Sequence, residues 1–146
     1  AAGGIFDSKD IANAIQHGAD GVQIATRFVA TEECDADIKF KEAYVNAKKE
    51  DIVIIKSPVG MPGRAIKNHF LDNLQNYKIE KCFNCIKTCD RKTVPYCITQ
   101  ALVNSVNGDI DNGLVFCGSN VDKINKITTV KELMNELVEE VKEYEE

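Results

Sequence analysis

The sequence predicts an α/β chain: the last strand-and-helix units of a (β/α)₈ barrel, followed by a mostly helical extension with a cysteine-rich segment. Two observations carry this expectation. Ala1-Ala2-Gly3-Gly4-Ile5 and Gly18-Ala19-Asp20-Gly21 are small-residue turns about twenty residues apart, and each is set beside a short apolar run. The stretch between them has the rhythm of one amphipathic helix, giving the strand–loop–helix–strand order of a parallel sheet. Barrels of this class build a phosphate cup from their last two strand-to-helix loops. Such a barrel needs about 200 residues or more, so the 146 residues are expected to be the C-terminal part of a larger enzyme.

Taken in order, the elements divide into three parts: residues 1–33, the barrel end with its phosphate loops; residues 34–81, a helix–strand–helix extension; and residues 82–146, the cysteine segment and C-terminal helices. In the first part Ser8 is the expected N-cap of a helix burying Ile11, Ala12, Ala14 and Ile15. Gly18 ends it in the left-handed C′ position, and Gly21-Val22-Gln23-Ile24 reads as a strand. In the second, a helix is expected from about Asp35 to Lys48, then a β-branched strand over Asp51–Lys56. Ser57–Arg64 reads as a loop rich in proline and glycine, and Ala65–Tyr77 as a helix presenting Ile66, Phe70, Leu71 and Leu74. In the third, a helix spans about Pro95 to Val106, and Leu114-Val115-Phe116 is a short apolar run. A last helix opens on a Thr129/Glu132 capping box. Its face is Val130, Leu133, Met134, Leu137, Val138, Val141 and Tyr144, and its acidic end, Glu139 to Glu146, reads as solvated.

Composition bounds the function. Net charge is −5, with 44% hydrophobic and 28% charged residues. This is ordinary for a cytoplasmic enzyme and argues against a nucleic-acid or anionic-membrane surface. No run approaches the ~18 apolar residues of a membrane span.

The proposed phosphate cup consists of Ala2, Gly3 and Gly4 in the first loop and Gln23, Ile24, Ala25 and Thr26 in the second. Glycine is required where a side chain would block the anion or where φ is positive. Backbone N–H groups and a Thr26 hydroxyl would hold the phosphate. Ala-Ala-Gly-Gly-Ile, followed by Gly-Ala-Asp-Gly-Val-Gln-Ile-Ala-Thr-Arg-Phe-Val-Ala-Thr-Glu-Glu, resembles the nitronate monooxygenase family, formerly 2-nitropropane dioxygenase, which includes the flavin-dependent enoyl-ACP reductases. Lys56-Ser57 and Gly63-Arg64-Ala65-x-x-Asn68 resemble the segment that follows in that family, and Gly113–Asn120 a glycine-rich stretch near its flavin. The resemblance implies FMN as cofactor and a small-molecule substrate, either a nitronate or an enoyl thioester reduced with NAD(P)H. It implies that the missing N-terminal part of the barrel carries the catalytic histidine, so no catalytic residue is assigned here. The family usually has glycine where this chain has Ala25, which only a negative φ would tolerate without cost. Arg27 reads as an ion-pair partner at the cup's rim. His17 and His69 read as helix residues without a catalytic arrangement.

Cys82-x₂-Cys85-x₃-Cys89-x₇-Cys97 is the second motif. Four clustered thiols suit zinc or a [4Fe–4S] cluster, and the spacing is similar to the iron–sulfur segment of some other flavin-dependent barrel reductases. Free thiols and disulfides remain open beside the metal reading. So does a different class of function, a stand-alone metal-binding module. Cys117 is expected as a small buried residue near the flavin and Cys34 as a packing residue.

Overall fold

The computed structural model describes residues 1–87 and 89–142. Residues 143–146 of the expected solvated acidic end, Tyr144 among them, lie outside those residues.

The chain begins with the two small-residue turns. Ala2 and Gln23 form a parallel bridge, closed by the Gln23 N–H donating to the Ala1 carbonyl at 2.8 Å. The direction is the parallel one expected. A single bridge is not a ladder, however, so Gly21–Ile24 is extended without being a full strand. Between the turns lies α1 (Ser8–Gln16). Its N-cap is Asp7 instead of Ser8: the Asp7 carboxylate accepts from the Asp10 N–H, and Ser8 is buried as the first helical residue. Gly18 follows with φ +90°, the left-handed stop expected at C′. Ile15, at 40% exposure, falls off the buried face.

A four-residue helix, α2 (Thr26–Val29), turns out of the second loop. Next comes α3 (Ile38–Asn46), whose N-cap Asp37 accepts from the Lys39 N–H. The helix is shorter than expected because Asp37 stops it at one end and Ala47 turns extended, with ψ 134°, at the other.

β1 (Ile52–Lys56) forms as expected. It pairs antiparallel with β2 (Pro62–Ile66), Ile52 facing Ile66 and Lys56 facing Pro62. This corrects two expectations. Pro62-Gly63-Arg64 belongs to a strand, and Ala65 and Ile66 extend it instead of opening a helix. Proline is tolerated as a strand's first residue, and only Ser57–Met61 remains to make the reversal, with Gly60 at φ +88°. The Leu114–Cys117 run then lines up on the other side of β2. The Ile66 N–H donates to the Val115 carbonyl at 2.9 Å and the Cys117 N–H to the Arg64 carbonyl at 3.0 Å. β2 therefore lies between β1 and this third extended segment.

Strand alternation splits the core between the two faces of β2. Ile66 and Val115 join Ala30, Tyr44, Ala47, Val121 and Ile124 on one side. Ala65 and Leu114 join Phe70, Tyr96 and Ala101 on the other. The helix expected over Ala65–Tyr77 reduces to α4 (His69–Asp72) and a 3₁₀ turn, Leu74–Asn76. Asn68 fixes its start, accepting from the Leu71 N–H at 3.1 Å. The Asn68 amide also donates to the Ile110 and Gly113 carbonyls, both at 2.8 Å. The described residues between 78 and 97 make an irregular excursion, ended by α5 (Ile98–Val106).

The last helix, α6 (Val130–Lys142), packs against α1. Half of its expected capping box forms: Thr129 Oγ1 accepts from the Glu132 N–H at 3.1 Å. The Glu132 carboxylate instead accepts from the Thr128 hydroxyl. Both oxygens of Glu33 accept from the Val130 N–H, at 3.0 and 2.9 Å, so a residue about a hundred positions away completes the cap. No described helix is long and apolar enough to cross a membrane.

Candidate functional site

Three loops meet at one end of the extended segments and enclose a cavity of about 230 Å³. All seven residues predicted to hold phosphate line it: Ala2, Gly3, Gly4, Gln23, Ile24, Ala25 and Thr26. The third loop, Gly118-Ser119-Asn120, was expected near a flavin but not counted among the binding residues. It closes the cup opposite the first two. Its signal in the sequence is the one the other loops carry: a short apolar run, Leu114–Phe116, running into a glycine turn.

Side chain to backbone contacts tie the loops together. The Gly118 N–H donates to Thr26 Oγ1 at 2.9 Å, and the Asn120 amide donates to the Gly4 carbonyl at 2.5 Å. With the Ala2–Gln23 bridge, each loop is fastened to both others. A hydroxyl that accepts through its oxygen keeps its own hydrogen to donate, so Thr26 serves the Gly118 N–H and still has a proton for a ligand.

The glycines are where the backbone demands them. Gly3 and Gly4 have φ +89° and +76°, the left-handed region that L side chains enter at a cost of about 1–2 kcal/mol. A Cβ on Gly4 would stand 3.3 Å from Ser119 Oγ, and one on Gly118 only 2.8 Å from Thr26 Oγ1. Ala25 has φ −121°. Its methyl group is therefore unstrained, which settles the one position where this chain carries alanine for the resembled family's glycine.

No acidic side chain lines the cup among the described residues, and Arg27 stands at its edge. The opening N–H groups of α2 add to this polarity, since the first N–H groups of a helix have no partner within it. Arg27 itself is committed elsewhere. Its guanidinium donates to both carboxylate oxygens of Glu136 on α6, at 2.6 and 3.0 Å, and to the Phe6 carbonyl at 3.2 Å. It also lies 4.6 Å from the Phe6 ring centroid. Those contacts make it the ion-pair partner expected from the sequence, and the hydrogen bond from Arg27 holds the Glu136 carboxyl below the usual carboxylate range.

Other predicted residues lie away from the cup. His17 is exposed at the end of α1, its Nδ1 2.8 Å from the Asn13 carbonyl. His69 is exposed on α4, its Nδ1 3.3 Å from the Asp111 carbonyl. Cys117 is half-buried beside the third loop without lining the cup, and burial pushes its thiol up to about 11 against the opposing pull of Arg64. A larger cleft, of about 700 Å³, opens between α4, the excursion and α5. It is lined by amides and charges of both signs, such as Asn73, Asn104, Lys78 and Asp111, and contains none of the predicted site residues.

Cys82, Cys85, Cys89 and Cys97 all line another cavity, of about 60 Å³. The zinc or iron–sulfur centre that the clustered thiols suggest has no assembled ligand set for a metal ion here. Among the described residues, no three or more His, Cys, Asp or Glu side chains stand close enough to hold one. The described residues of the excursion form no helix or strand.

The family profile described as nitronate monooxygenase matches residues 1–140. A probable nitronate monooxygenase of Staphylococcus aureus (strain Newman) is 36% identical over 78 residues, covering 53% of this chain and 22% of the relative. Among solved structures, FabK from Thermotoga maritima is 30% identical with a TM-score of 0.76 over 98% of this chain and 43% of that one. Nitroalkane oxidase from Streptomyces ansochromogenes, at 23% identity and a TM-score of 0.73, shares the α/β fold over 99% of this chain and 39% of its own. The chain thus spans about a fifth of the curated relative and less than half of each solved one.

Proposed function

The chain belongs to the nitronate monooxygenase family, and from that premise we propose that it forms the phosphate-holding end of an FMN site in a flavin-dependent oxidoreductase acting on nitronates. The three-loop cup carries this reading. Two glycines at positive φ, a set of hydroxyl, amide and backbone donors, and the lack of lining carboxylates suit a dianionic phosphate. When bound, FMN supplies the redox chemistry. The chain's own residues do the holding. Gly3 and Gly4 let the backbone approach the phosphate without a Cβ. Thr26, Ser119 and Asn120 offer side-chain donors. The Arg27–Glu136 pair braces α2 against α6, so the second loop keeps its position.

In this reading the remaining walls of the flavin and substrate sites come from the rest of a (β/α)₈ barrel. Val22, Ile24 and Phe28, with Met134 and Val138 of α6, line an open apolar groove of about 640 Å³. Exposed apolar surface of this kind is what further barrel elements would cover. The chain by itself is accordingly expected to be inactive. The cup fits an enoyl reductase fed by NAD(P)H equally well, because it holds the phosphate and not the substrate.

The test is to purify the full enzyme and measure bound flavin and turnover. FMN at one equivalent per chain, with oxygen uptake on adding a nitronate, supports the reading. NAD(P)H oxidation driven by an enoyl thioester would move the assignment to the reductase. A protein that neither retains nor takes up FMN would refute both.

A further inference from the structure

The flavin reading leaves four cysteines unused, and the fold brings them to one place. Cys82, Cys85, Cys89 and Cys97 are spread over sixteen residues, yet all four line the same cavity of about 60 Å³. The rest of its wall is mostly apolar, including Ile79, Phe83, Val94 and Ile98. The other two cysteines, Cys34 and Cys117, are absent from that lining. We propose that Cys82, Cys85, Cys89 and Cys97 form a four-thiolate site for one thiophilic metal centre, a zinc ion or a [4Fe–4S] cluster.

The backbone around each cysteine supports this. Asn84, between Cys82 and Cys85, has φ +49° and is the single non-glycine residue at positive φ among the described residues. Such a left-handed residue bends the chain within the Cys-x₂-Cys step, where Cys82 Sγ donates to Asn84 Oδ1 at 3.4 Å and Cys85 Sγ lies 2.9 Å from Thr99 Oγ1. Cys97 is the N-cap of α5, a nine-residue helix, and so stands at the helix's positive end, which favours a thiolate. The intervening loop is anchored by Arg91, which donates to the Ile79 carbonyl at 3.1 Å and lines the cavity itself. Lys81 lies 5.3 Å from the Phe83 ring centroid. Four thiolates around Zn²⁺ or a [4Fe–4S]²⁺ core leave net negative charge, which these cations offset.

Crowded thiolates repel one another, and a central cation removes that repulsion while displacing the thiol protons. Among the described residues no three of these side chains stand close enough to hold a metal ion. Metal binding and local ordering are coupled where a site forms only with its metal, and drawing the four sulfurs together is the change this proposal requires. The phosphate cup involves none of these residues, so the two assignments stand or fall separately.

The test is elemental analysis of the full protein, purified anaerobically without chelator. One zinc, or about four iron with about four acid-labile sulfides, per chain is the expected result. A broad absorbance near about 400 nm would mark the cluster and a colourless site the zinc. Cys89→Ser should lower the bound metal at least tenfold, while Cys34→Ser and Cys117→Ser should leave it unchanged. Should the Cys89 variant fail to fold, thiol counting on the unaltered protein still decides. Four of the six thiols should be protected from a thiol reagent until the metal is removed. Metal below about a tenth of an equivalent, disulfides among the four, or metal retained in the Cys89 variant would overturn the proposal.

Discussion

Replacing Gly118 with alanine tests the cup at its tightest joint. The new Cβ would lie 2.8 Å from Thr26 Oγ1. Thr26 is β-branched and stiff at χ1, so the hydroxyl cannot swing away cheaply. The third loop must instead retreat by about 0.6 Å to reach ordinary contact. That stretches the 2.9 Å bond from the Gly118 N–H to Thr26 Oγ1, worth about 1 kcal/mol. Overpacking adds about 1–3 kcal/mol. If about half of this total falls on the bound state, FMN affinity weakens roughly tenfold, since 1.4 kcal/mol is a factor of ten. Titration of apoprotein with FMN, followed by quenching of flavin fluorescence, measures it. Gly60→Ala is the control. It has φ +88° and nothing near its Cβ position, so it should cost about 1 kcal/mol of stability and leave flavin affinity alone. The argument fails if the Gly118 variant binds FMN as tightly as the unaltered protein, or if the Gly60 variant loses as much affinity.

Arg27→Ala should lower stability by about 1 kcal/mol, because the partner Glu136 is largely solvent-exposed and the pair is discounted accordingly. Glu136 has its carboxyl depressed in the folded state. Its contribution is therefore present above the unfolded carboxylate value of about 4.3 and lost as pH falls below it. Denaturation curves across that range should flatten in the variant. Asn68→Ala removes two donors to carbonyls and the cap on α4, and chemical denaturation should show a loss of about 2–3 kcal/mol. Cys117, with its thiol pushed up to about 11, should alkylate at pH 8 about 100-fold more slowly in the folded than in the unfolded protein. The same shift contributes stability below pH 9 that fades as pH rises toward 11. Mass spectrometry of the labelled peptide follows the alkylation.

Much of the cup was legible because its chemistry is local. Gly3, Gly4 and Gly18 sit where the backbone adopts positive φ, and that demand is visible wherever small residues punctuate an apolar rhythm. Ala25 was legible only as a condition, since φ depends on how α2 leaves the loop. Gly118, Ser119 and Asn120 were harder, because a residue's partner a hundred positions away leaves no trace in spacing. The missed strand has a similar cause. Pro62-Gly63-Arg64 has weak strand propensity, but β1 pairs with it on one side and Leu114–Cys117 on the other. Gly63 lacks a side chain because the Phe116 ring occupies that space, a Cβ there falling 2.4 Å from Phe116 Cε1.

The family resemblance, the first two loops of the cup, most helices and the clustering of four thiols were readable from the chain, because each depends on residues close in sequence. Packing of distant segments added a third loop to the cup and tied Arg27 of α2 to Glu136 of α6. Packing also made β2 the central extended segment and set four cysteines around one cavity. Those outcomes are set by long-range pairing and packing, whose free energy outweighs local propensity once distant segments meet.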